Sequence, residues 1–88
     1  IISLPKHCNI YLFGSFVYKS NPQDIDLLVV YKKSKIHPSK IRTITKPLIK
    51  QLEKTYKLRV DAVYLTEEEE ISVNFIKQEG CVRIENIG

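Results

Sequence analysis

The chain has 88 residues, a net charge of +4, 43% hydrophobic and 27% charged residues, which is the balance of one ordinary globular domain spanning 1–88. That composition excludes a disordered chain. No apolar run reaches the roughly 18 residues of a membrane span, and no signal-peptide pattern opens the sequence, so no membrane role is expected.

Cys8 and Cys81 are too few for a disulfide framework and lack metal-ligand spacing. They read as buried thiols in a reducing, cytoplasmic compartment. With no Met and Ile1-Ile2 at its start, the chain is expected to be a trimmed product.

In chain order, Cys8–Phe13 reads as a strand ended by Gly14-Ser15. Phe16 to Lys19 has room for one helical turn before Ser20-Asn21-Pro22, which is turn chemistry. Asp24–Tyr31 is a second strand, nearly continuously apolar after its acids, as suits a central strand covered on both faces. Lys32 to His37 forms a loop, and Pro38 fits the first turn of a helix.

The helix that follows shows Ile41, Ile44, Leu48 and Leu52 at spacings of three and four, with Ile49 beside them. Pro47 predicts a kink or a division into two helices. Leu58–Leu65 reads as a third strand. Thr66 with Glu69 makes a capping box, opening a helix that runs to about Glu79 and ends at Gly80. Cys81–Ile84 is a last short strand. The resulting fold class is α/β (α+β), a small mixed β-sheet with helices packed on it.

Charge is unevenly spread. Residues 32–59 hold ten bases and one acid, Glu53, whereas residues 60–88 hold seven acids and two bases. The basic segment suits nucleotide phosphates, RNA or an acidic protein, though a solvated helix face explains it equally well.

The chemistry centres on LFGSFVYKSNPQDIDLLVVY, residues 12–31. Asp24 and Asp26 point to one face of their strand because strand side chains alternate. Two carboxylates about 7 Å apart on that face repel unless a cation stands between them. Mg²⁺ takes oxygen ligands of this kind and shares them with substrate phosphates. Asp61 sits in a strand that is otherwise apolar, where an unpaired carboxylate is costly. Should that strand lie beside the second, Asp61 would complete a three-carboxylate cluster. Gly14 allows backbone to approach a phosphate closely, and Ser15 offers an N–H and a hydroxyl there. Asp-x-Asp or Gly-Ser alone is common; the signal lies in their combination.

Gly14-Ser15, then eight residues, then Asp24-Ile25-Asp26-Leu27-Leu28-Val29-Val30 and a later Asp61, resembles the nucleotidyltransferase superfamily that includes DNA polymerase beta. The size, and the ending Phe75 to Val82, are similar to the minimal nucleotidyltransferases that act as antitoxins to HEPN-domain toxins. The resemblance implies the polymerase beta palm-like fold. It implies two Mg²⁺ ions held by Asp24 and Asp26, with Asp61 holding the catalytic one and helping to deprotonate an acceptor hydroxyl. It also implies that Gly14 and Ser15 hold ATP or another nucleoside triphosphate, and that AMP passes to a tyrosine of the toxin partner. The interval from Gly-Ser to the first Asp is shorter than the family's usual one, which predicts a stunted helix. Two alternatives stand beside this reading: a weakly active or inactive module that neutralises its partner by binding, and a transferase acting on RNA through the basic 32–59 segment.

His7 and His37 lack partners at ligand spacing and read as exposed or loop histidines. Tyr18 reads as a packed aromatic, with base stacking or modification as the alternative. Glu67 to Glu70 read as a helix N-terminus rather than a metal site.

Overall fold

A computed structural model of the chain describes residues 4–85. Eight elements follow one another: β1 (Cys8–Phe13), α1 (Ser15–Tyr18), β2 (Asp24–Tyr31), α2 (Ile41–Tyr56), β3 (Arg59–Thr66), α3 (Glu67–Val73), α4 (Phe75–Glu79) and β4 (Val82–Ile84). The strands form one mixed sheet in the order β3-β2-β1-β4. β1 runs antiparallel to β2 and β4, while β2 and β3 run parallel across the α2 crossover.

α2 covers one sheet face. From β2 that face takes Ile25, Leu27, Val29 and Tyr31, and Ile10 of β1 joins them. α2 contributes Ile41, Leu48 and Leu52. Between these, the helix places Thr45 rather than Ile44 in the buried stripe, because the steps 41–45–48–52 keep one face. Thr45 is fully buried at 0% exposure and satisfies its hydroxyl by donating to the Ile41 carbonyl at 3.0 Å; Tyr64 Oη lies at the same distance. Ile44 falls outside that stripe and is 40% exposed. On the opposite sheet face Leu28 and Val30 are buried, and Phe75 of α4 meets Phe13 edge-on at 5.0 Å.

Three further expectations, on the bounds and continuity of the helices, change. Pro47 does not divide its helix: α2 is one uninterrupted run of 16 residues. Pro47 and Thr43, whose carbonyl loses its helical partner, both lie on the exposed side of the helix, away from the core. The helix starts at Ile41 rather than Pro38, since His37 to Lys40 close a turn in which the Lys40 N–H donates to the His37 carbonyl at 2.8 Å. The helix expected from Thr66 to Glu79 is broken at Asn74, which adopts a left-handed backbone at φ 54°. Asn tolerates that conformation better than other side-chain-bearing residues. The Glu70 carboxylate fastens the break by accepting the Ile76 N–H at 3.1 Å. Among the described residues no helix is long and apolar enough to cross a membrane.

Pro47→Ala restores one backbone hydrogen bond in an exposed helix position. It should raise unfolding free energy by about 1–3 kcal/mol in a urea titration, less the entropy returned to the unfolded chain. No change or a loss would mean that α2 relies on the proline.

Candidate functional site

The carboxylates are placed by strand pairing. In the parallel β2–β3 ladder Asp24 pairs with Arg59, and Asp26 pairs with Asp61. Alternation then sets Asp24, Asp26, Arg59 and Asp61 on one face, opposite to α2. β1 closes the other side, with Phe13 opposite Asp26.

Gly14 follows directly and adopts φ 74°, ψ −156°, a region that essentially only glycine occupies. A Cβ on Gly14 would collide with the Asp26 carboxylate. The glycine thus gives the backbone room to run against the acid. Ser15 opens α1, which is only four residues long, the stunted helix that the short interval predicts.

Asp24 and Asp26 are half-buried and Asp61 is exposed. The Asp26 carboxyl is pushed above the usual carboxylate range, first by burial, then by the charges of Asp61 and Asp24, with Arg59 pulling the other way. Arg59 engages the other two acids: its Nη2 is 3.1 Å from Asp61 Oδ2 and its Nε 3.9 Å from Asp24 Oδ1.

Among the described residues no three acidic, histidine or cysteine side chains converge into a ready cage for a metal ion. Fit to a divalent cation therefore rests on the donor set. Three carboxylates share a face, two of them adding to the upward push on the third, all are hard oxygen donors, and a cationic side chain already offsets their charge. That donor set suits Mg²⁺.

The remaining candidates take structural places. His7 is exposed in the turn before β1, where its carbonyl accepts the Lys32 N–H at 3.2 Å. His37 is exposed, and its Nδ1 lies 2.8 Å from Ser39 Oγ. Both cysteines are free and only half-buried rather than buried, and burial is the first cause raising each thiol. Glu67 to Glu70 form the first turn of α3, under the Thr66–Glu69 capping box. Tyr18 is not packed: it is 67% exposed, and its hydroxyl donates to the Gly80 carbonyl at 2.9 Å, tying α1 to the end of α4.

Sequence reasoning passes over Arg59 as part of the basic block. Its signal is the Arg-x-Asp spacing, which period-two alternation turns into a same-face pair. Glu53, the lone acid of that block, accepts the Val60 N–H at 3.1 Å and fixes the entry to β3.

A family model described as "Polymerase beta, Nucleotidyltransferase" matches residues 4–86. No curated protein and no solved structure matches the chain.

Two outcomes follow from the site's geometry. Gly14→Ala should lose about 1–3 kcal/mol in denaturant unfolding, because the alanine meets both a forbidden backbone region and the Asp26 carboxylate. An unchanged stability would mean that the β1–α1 corner relaxes freely. For Asp26, a raised native pKa means that the folded chain holds this proton more tightly than the unfolded chain. Its contribution is favourable below the ordinary Asp range and is lost as pH rises through the raised value. In EDTA, Asp26→Asn should therefore melt above wild type at neutral pH, with the gap closing towards roughly pH 3. A variant that melts below wild type at neutral pH would contradict this.

Proposed function

Because the chain belongs to the polymerase beta nucleotidyltransferase family, we propose that it is a Mg²⁺-dependent nucleotidyltransferase that moves a nucleoside monophosphate, AMP from ATP in the first instance, onto an acceptor hydroxyl. The observation that carries the reading is the β2–β3 register, which pairs Asp26 with Asp61 on the face that also holds Asp24.

Asp24 and Asp26 are the residues that would hold two divalent ions, with Asp61 joining them at one. Such ions supply Lewis acidity towards the acceptor hydroxyl and neutralise charge on the leaving pyrophosphate. Asp61, exposed where Asp24 and Asp26 are half-buried, is the group to take the acceptor's proton. Gly14 leaves the approach to Asp26 free of a side chain, and Ser15 offers its hydroxyl and N–H to the triphosphate.

The acceptor in this reading is a hydroxyl on a partner protein of the HEPN toxin kind. RNA is the second acceptor class, favoured by exposed Arg42, Lys46, Lys50 and Lys54, four residues apart along α2. A third reading, neutralisation by binding alone, draws on the short interval after Gly14-Ser15, which leaves α1 only four residues long.

One assay separates the three. Protein is incubated with Mg²⁺, each α-labelled nucleoside triphosphate in turn, and a lysate of the source cell. Label on a protein band, lost by at least about 10²-fold with Asp26→Asn, is the expected result. Label on RNA selects the second acceptor. No label, with no nucleotide or Mg²⁺ binding by the wild type, would overturn the enzymatic reading in favour of binding alone.

A further inference from the structure

The carboxylate face carries its own cation. Alternation along β3 sets Arg59 on the side of Asp61, and the parallel register sets it opposite Asp24. Its guanidinium spans the two, 3.1 Å from Asp61 Oδ2 through Nη2 and 3.9 Å from Asp24 Oδ1 through Nε. It also works against the upward pull on Asp26. Among the described residues no other base forms an ion pair with these acids.

A divalent ion needs the same carboxylate oxygens. A guanidinium is a planar, singly charged donor, whereas Mg²⁺ or Mn²⁺ demands several oxygens around one centre. The two compete. Resting on the metal-dependent reading above, we infer that Arg59 is a built-in counter-ion that a divalent cation must displace from Asp24 and Asp61, and that it thereby sets the cation affinity of the site.

Displacement is easy by construction. The Arg59 side chain is 69% exposed, and those of Asp24 and Asp61 are 42% and 49% exposed, so the guanidinium leaves for water without uncovering the core. Ion pairs this exposed are weak and screened by salt. The backbone beneath is held separately, by the Val60 N–H on Glu53. Arg59 is accordingly a positioning residue, which acts on the carboxylates rather than on a reacting atom. Without it and without an ion, three acids face one another uncompensated; with an ion, nothing competes.

The test uses Mn²⁺ as probe, titrated by electron paramagnetic resonance into wild type, Arg59→Gln, Arg59→Met and Arg59→Lys, with melting followed in EDTA and in Mn²⁺. Both neutral variants should bind Mn²⁺ about three- to tenfold tighter than wild type, while Arg59→Lys, which keeps the charge, stays within about twofold. The neutral variants should also melt lower in EDTA and gain more from Mn²⁺. A purely structural arginine would leave ion binding unchanged or weaken it, so equal or weaker binding by the neutral variants overturns the inference. Absence of Mn²⁺ binding by wild type and variants alike would overturn the metal-dependent reading itself, and this inference with it. Circular dichroism checks folding, and two neutral variants guard against the failure of one.

Discussion

Eight residue pairs join β2 to β3 in parallel, and a slip of β3 by one residue in that ladder would turn Arg59 and Asp61 away from Asp24 and Asp26 and towards α2. The register is held by what lies on the other face. Ile25 and Leu27 are fully buried there, with Val60 and Ala62 as their partners on β3. A slip of β3 would turn Val60 and Ala62 out of the core and Asp61 into it, at the cost of both the hydrophobic contacts and the desolvation of a carboxylate. α2 makes the parallel crossover and also secures its end, since Glu53 captures the first N–H of the apolar stretch in β3. The apolar core and the charged site are two faces of the same pairing.

On the charged face the chain keeps an arrangement that does not favour stability. Asp26 sits half-buried beside two like charges, and burial first, then those charges, push its carboxyl above the usual range. Gly14 adds a backbone conformation that excludes side chains, immediately against the same carboxylate. Such local costs concentrate where a ligand is to be met, and the surrounding elements absorb them. Here the supports are visible: Tyr18 ties α1 to Gly80, Phe13 packs on Phe75, and Arg59 offsets two of the three acids.

Much of this frame was legible in the residues. β2 announces itself by an apolar run with two acids at one end, and Thr66-x-x-Glu69 announces α3, because both signals are local and strong. The position of Asp24 and Asp26 on one face follows from alternation alone. The residues that carry the family resemblance lie within 4–86, the span that the family model matches. What was not legible depends on contacts between distant parts. Asn74 can take a left-handed backbone, but that it does so here depends on the Glu70 carboxylate closing the break on Ile76. Pro47 is tolerated because it faces water. Arg59 looks like one base among ten until the β2–β3 register sets it opposite Asp24, and Tyr18 finds its partner 62 residues away.

The central claim of the proposed function is that Asp24 and Asp26 hold the divalent ions and that Asp61 joins them at one. It is tested most directly by anomalous diffraction from crystals of the protein soaked with Mn²⁺ and a non-hydrolysable ATP analogue. The claim predicts an anomalous peak ligated by the Asp24 and Asp26 carboxylates, with the analogue's phosphates on its far side. Nucleotide bound elsewhere, or a Mn²⁺ peak that avoids these aspartates, would contradict it.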